Sequence, residues 1–285
     1  MGNITLLSMN VVYGLAVILF ISAVILLKLP FKIADSSPPR LPFGKVAVWP
    51  YQWSDLFGVL GIGGFFYIAA IGMAMIAEES VARPMTVPDL IAGIAVQFFL
   101  ATVAVVIMVR RIRPVAWLGL AWKQWPFVFL LAPAVVVSMW TVFAILYELG
   151  YMELLQRMGV EQVQETVALF QESDDIAVIV LMAFTASVVA PICEEIVFRG
   201  YLYPVMKKFS GLWIAALCNA LIFSAAHGNM SALLPLFIFG LALVALYEYT
   251  GSIWAPIATH FLFNSATVCI QLMVRFGYIP EAALQ

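Results

Sequence analysis

Charge is what this chain has least of. Lys, Arg, Asp and Glu make up 11% of its 285 residues, about half the charged share of an ordinary soluble domain. Hydrophobic residues make up 64%, more apolar surface than one globular core absorbs, so a soluble single-core fold is excluded and lipid is the solvent. The net charge of -2 gives no electrostatic footprint for nucleic acid or for an acidic partner. Cysteine is also scarce: Cys193, Cys218 and Cys269 stand in apolar runs without a CxxC pair, which argues against a disulfide framework and a thiolate metal site. No HExxH run, internal repeat or low-complexity tract is present. A basic n-region is missing ahead of the apolar run from Val11 to Leu27, and Leu6 stands where myristoylation needs Ser or Thr, so a retained first helix is expected.

Long apolar runs fill the space left by these absences. A spanning helix needs roughly 20 mainly apolar residues. Such runs lie near 8–27, 55–77, 88–109, 126–147, 176–206, 212–227, 230–249 and 253–274. They predict an all-α, polytopic membrane bundle of about eight transmembrane helices around a polar intramembrane cavity. Pro38, Pro39, Pro42, Pro84, Pro88, Pro114 and Gly251 mark the ends, where helix breakers belong. The segment from Lys28 to Ser54 reads as an interfacial connector. That from Glu148 to Asp175 reads as an amphipathic surface helix carrying Leu154, Leu155, Met158 and Val163.

Basic residues assign the sides, because cytoplasmic loops carry the excess of Lys and Arg. Lys28, Lys32, Arg40, Lys45, Arg110, Arg111, Arg113, Lys123, Lys207 and Lys208 fall on one side, against Arg83, Arg157 and Arg275 on the other. The ten-residue side is expected to be cytoplasmic, with both termini facing away from it; labelling of cysteines placed at both ends, from outside intact cells, checks this.

Five ionisable residues sit inside the apolar helices or at their ends: Glu194, Glu195, Arg199, His227 and His260. A charged side chain at a helix centre costs about 2.5–3.5 kcal/mol on insertion scales, and residues carrying such a cost face a bundle interior and mark function. Glu195 and Arg199 stand four apart on one face with the acid first, the favourable order for an ion pair. Glu194 points about 100° away and has no local counter-charge, so it is the carboxyl free to accept and return a proton near neutrality. Asn219, Phe223 and His227 follow at four-residue spacing, which puts Phe223 beneath the imidazole. His260 and Asn264, again four apart, direct a ring N–H and an amide N–H towards one point, as an oxyanion hole requires. At about 1.5 Å per residue, Glu194 lies roughly 20 Å from Lys207, His227 roughly 22 Å from Leu212 and His260 roughly 12 Å from Gly251. The groups can therefore meet within the bilayer, in a cavity expected to open to the cytoplasm.

Blander readings apply to several of these residues. Glu195 with Arg199 serves equally to pin helices, and either histidine could be a satisfied interhelical hydrogen bond. Cys193 reads as a small apolar residue, Ser224 as a back-bonding hydroxyl, Asn219 as a bond to a neighbouring helix, and Trp254 and Tyr247 as interfacial anchors.

The motifs EExxxR at Glu194–Arg199, FxxxH at Phe223–His227 and HxxxN at His260–Asn264, the last following "GSIWAPI", resemble the CPBP family. That family comprises type II CAAX prenyl endopeptidases and bacteriocin-processing enzymes, also known as the Abi family. The resemblance covers residues 176–275. It implies variable membrane helices over 1–175, a catalytic membrane core over 176–275 and a tail over 276–285. It also implies a glutamate-dependent intramembrane endopeptidase without a cofactor. Glu194 and His227 would activate water, His260 and Asn264 would form the oxyanion hole, and Glu195, Arg199 and Phe223 would support them. The implied partners are the bilayer and a peptide or protein substrate, lipidated or not, in a prokaryotic plasma membrane.

Two alternatives stay open. One is a zinc protease with ligands from three helices. The other is a non-catalytic scaffold or immunity protein that holds a lipid or peptide in the cavity.

Overall fold

The computed structural model describes residues 14, 17–19, 21, 44–79, 85–158 and 173–280. The predicted first span, 8–27, lies largely outside the described residues, as do Val163 and most of the segment predicted as a surface helix. Eight helices follow in order among the described residues: α1 (Asp55–Glu79), α2 (Val87–Val109), α3 (Val128–Glu148), α4 (Tyr151–Arg157), α5 (Ile176–Ser210), α6 (Leu212–Ala225), α7 (Met230–Thr250) and α8 (Trp254–Arg275). A helical turn, Pro114–Trp117, links α2 to α3. Five helices are long and apolar enough to cross a membrane: α2, α3 with the turn before it, α5, α7 and α8. The chain is thus a helical membrane protein with several passes. In α4 only Leu155 is buried, while Leu154 and Met158 face outward, so that helix rests one residue on the bundle rather than a broad apolar face.

Side-chain caps start the helices in the way the sequence allows. Asp175 accepts from the Ala177 N–H at the head of α5, and Asn229 accepts from the N–H groups of Ser231 and Ala232 at the head of α7. Each satisfies a donor that no helical carbonyl reaches. Gly119 (φ +63°) and Gly251 (φ +71°) meet back to back, so that a Cβ on Gly119 would lie 1.9 Å from the Gly251 carbonyl oxygen. Only glycine combines that backbone with that approach.

The predicted basic loops gather at one end. Arg111 Nη1 pairs with Asp55 Oδ2 at 2.6 Å, Lys207 Nζ with Glu248 Oε1 at 2.6 Å, and the Ile253 N–H bonds the Leu118 carbonyl at 2.9 Å. Trp49, Trp53, Trp125, Trp213 and Trp254 are exposed in the same loops and helix starts, forming the aromatic girdle expected at a bilayer interface. Tyr247 departs from its expected place as an anchor: it is buried, and its hydroxyl donates to the Trp117 carbonyl at 3.4 Å.

Helices α6 and α7 approach most closely at Gly240, where a Cβ would stand 3.2 Å from the Ala220 Cα and 3.3 Å from the Phe223 Cδ1. Gly240→Val is expected to lower the melting temperature in detergent, by overpacking of about 1–3 kcal/mol. Wild-type melting in that variant would refute the tight crossing.

Candidate active site

Two π-helical stretches, Thr185–Val189 and Ile196–Leu202, flank Ala190–Glu195 within α5. Their cause is legible in the proline positions. Pro191 and Pro204 have no N–H to return to the carbonyls four and five residues earlier, which include Ala186 and Gly200. Neighbouring elements supply the missing donors. Asn264 Nδ2 donates to the Ala186 carbonyl at 2.8 Å, and Asn219 Nδ2 to the Phe198 carbonyl at 3.1 Å. Tyr51 Oη at 2.6 Å and Trp117 Nε1 at 2.9 Å both donate to Gly200. In lipid every such carbonyl needs a partner, and widened turns of this kind recur at functional sites.

Glu195 and Arg199 are fully buried and paired, with Arg199 Nη1 3.0 Å from Glu195 Oε1. The same carboxylate oxygen accepts from His260 Nδ1 at 2.9 Å. Arg199 also donates from Nη2 to the Gly240 carbonyl at 3.2 Å, and its guanidinium lies 4.3 Å from the Phe223 ring centroid. One carboxylate thus joins α5 to α8, and one guanidinium joins α5 to α6 and α7. Phe223 is the hub, with its ring centroid 4.9 Å from that of His227 and 5.8 Å from that of His260.

Glu194 and His227 face each other across a cavity of about 180 Å³, with Glu194 Oε2 3.9 Å from His227 Nε2. Helix α6 ends at Ala225, two residues before its predicted end, and His227 occupies the turn leading to Gly228. His227 Nδ1 lies 2.8 Å from the Phe223 carbonyl. A carbonyl only accepts, so the proton is on Nδ1 and the Nε2 lone pair is turned towards Glu194. Glu194 Oε2 is buried without a protein partner. A separation of 3.9 Å is too long for a direct hydrogen bond and suits one bridging water. The cavity is otherwise mostly apolar, walled by Phe66 of α1, by Val96, Gln97 and Leu100 of α2, and by Cys193, Val197, Phe198 and Ala226.

His260 and Asn264 do not line that cavity. Each has one donor engaged elsewhere, His260 with Glu195 and Asn264 with Ala186. This leaves the second ring nitrogen of His260 and the second amide hydrogen of Asn264 for any further contact. Ser224 bonds the Leu221 carbonyl at 3.0 Å, as a back-bonding helix hydroxyl does. Among the described residues no three His, Cys, Asp or Glu side chains group as a metal site.

Sequence reasoning missed Tyr51 and Trp117, which serve α5 from 149 and 83 residues away, and it missed Gln97. The one available signal for Gln97 was an amide in the middle of an otherwise apolar span.

Residues 176–266 match the family model for type II CAAX prenyl endopeptidase, Rce1-like. A candidate membrane peptidase of Bacillus subtilis (strain 168), YdiL, is 31% identical over 112 residues, which cover 39% of this chain and 46% of that protein. The membrane-embedded CAAX protease MroQ of Staphylococcus aureus (strain USA300) is 30% identical over 99 residues, covering 33% of this chain and 40% of MroQ. YpbD of Bacillus subtilis, which is uncharacterised, is 33% identical over 90 residues, covering 30% of this chain and 42% of YpbD. The chain spans less than half the length of each of these relatives. No solved structure is a significant match to the chain.

Proposed function

We propose, from the premise that residues 176–266 carry an Rce1-like type II CAAX prenyl endopeptidase domain, that this protein is an intramembrane endopeptidase in which Glu194 and His227 activate water. The observation that carries the reading is the 3.9 Å gap between Glu194 Oε2 and His227 Nε2 at a cavity wall, with His227 Nδ1 already committed to Phe223. A carboxylate and an imidazole lone pair on either side of one water are two bases and no acid, so the water loses a proton readily.

Glu194 takes that proton, and the hydroxide adds to the scissile carbonyl. His260 and Asn264 donate to the resulting oxyanion with the N–H groups they retain. Collapse breaks the C–N bond, and the proton held by Glu194 passes to the departing amine. Glu195 and Arg199 hold His260 in place, and Phe223 limits the rotamers of both imidazoles.

The substrate is a peptide or protein within reach of the membrane, with or without a lipid group, and the site opens towards the basic, cytoplasmic end of a prokaryotic plasma membrane. Comparative proteomics of membrane peptides in cells expressing wild type or Glu194→Ala tests the activity: fragments confined to wild-type cells are expected, and identical peptide sets would overturn it. Turnover is expected to be undiminished in chelator, since the chemistry above needs no Lewis acid. A chelator-sensitive rate restored by zinc would favour the metal alternative.

A further inference from the structure

Glu194 and His227 belong to the matched segment, but the cavity they face has a second wall, and that wall comes from α2. Between Asp89 and Arg110 this helix carries only two polar side chains, Gln97 and Thr102. Its buried residues Leu100, Ala101, Ala104 and Met108 continue at helical spacing from Gln97, whereas Val96, Phe98 and Phe99 are exposed. Gln97 therefore stands on the inward face, where it lines the cavity opposite Glu194 and His227. Its Oε1 atom is buried and has no hydrogen-bond partner in the protein. An unpaired carboxamide in the apolar part of a membrane helix is destabilising unless something arrives to pair with it.

What could arrive is constrained by the rest of the lining. Of the ten residues around the cavity, Gln97, Glu194 and His227 are the strongly polar ones. A peptide bond brought to the water between Glu194 and His227 carries N–H and C=O groups of its own and of its neighbours. In an apolar cavity these must be paired. Glu194 and His227 are occupied with the water. The carboxamide of Gln97 offers one acceptor and two donors on the facing wall, which match a backbone amide.

We propose that Gln97 is a substrate-binding residue of this site, and that its carboxamide holds the backbone of an extended peptide across the cavity from Glu194. The inference rests on the endopeptidase reading. It adds to the site a residue from outside the matched segment and names the backbone, rather than a side chain, as what that residue recognises. Peptides of differing sequence can then be held in one register, with Phe66, Val96, Leu100 and Val197 limiting the flanking side chain to an apolar one.

The test uses the full chain in liposomes with a quenched-fluorescent library of apolar peptides, and compares wild type, Gln97→Met, Gln97→Asn and Glu194→Ala. Methionine keeps the length and volume of glutamine and removes the hydrogen bonds. Gln97→Met is expected to raise KM by about tenfold or more, with kcat held within about twofold, as loss of uniform binding requires. Gln97→Asn should fall between the two. Melting in detergent supplies a readout independent of any substrate: Gln97→Met is expected to melt at or above the wild-type temperature. A wild-type KM in Gln97→Met overturns the proposal, and so does a lowered melting temperature, which would mean that the amide serves the fold. Wild-type cleavage by Glu194→Ala in the same assay would instead bring down the endopeptidase reading itself.

Discussion

Glu194→Gln is expected to insert and fold like wild type and to cleave about 100- to 10,000-fold more slowly, the range lost with a general base. Glutamine fills the same space and still bonds a water, but it cannot take its proton. His227→Ala should fall in the same range, because the 3.9 Å gap leaves neither group able to polarise the water alone. The double variant should be little worse than either single one, since groups acting on one water behave as a unit. His260→Ala is expected to be as inactive. Asn264→Ala should keep some activity while losing about 100- to 1,000-fold, the usual effect of one oxyanion donor. Single-turnover cleavage of a peptide identified by the proteomic comparison measures all of these. A Glu194→Gln enzyme within a few-fold of wild type would remove Glu194 from the chemistry.

The largest expected effect on stability lies at Arg199. It is fully buried, and its removal leaves Glu195 charged in an apolar bundle, a situation that destabilises proteins by about 3–5 kcal/mol. Arg199→Met is therefore expected to give little folded protein after detergent extraction. The pair is not ideally compensated, because Glu195 Oε2 and Arg199 Nε have no partner. Glu195→Gln combined with Arg199→Met should accordingly recover most of the lost stability, as buried ion pairs replaced together often do. Glutamine at 195 can still accept from His260 Nδ1, so the double variant should keep that contact and fold. Monodispersity and melting of the two proteins compare directly. A well-folded Arg199→Met would show the pair to be dispensable.

How much of this was legible in advance depended on how local each contact is. The Glu195–Arg199 pair and the placing of Phe223 beneath His227 follow from a four-residue spacing, and both contacts are present in the structure. The helices over 88–109, 126–147 and 253–274 begin and end within a few residues of their apolar runs. The reach of His260 to Glu195 was not legible, since it joins positions 65 residues apart through packing that no periodicity encodes. Nor was the bond from Asn264 to Ala186, which exists because α5 widens after Thr185. Reading α5 as a regular helix, with Asn264 aimed at the oxyanion, leaves no free carbonyl for that amide to meet. The early end of α6 had a signal in the Gly228–Asn229 pair, a turn glycine followed by a helix cap. The apolar run through Ala226 concealed it.

The widened turns of α5 also determine what kind of genetic change this protein tolerates. Each holds its extra residue only because side chains from other elements take up the freed carbonyls, so the register of Glu194 is kept by Asn264 on one side and by Tyr51, Trp117 and Asn219 on the other. Removing a single residue from Thr185–Val189 would let the backbone close into an ordinary α-helix, locally the more stable form. It would also turn everything beyond it by about 100° relative to everything before it. Asn264 and the Glu195–His260 contact could then not be satisfied together. Lipid-facing positions of the same helix, such as Ile176 and Val180, should accept most apolar exchanges, whereas deletions of one codon along 185–202 should be as damaging as loss of the catalytic carboxylate.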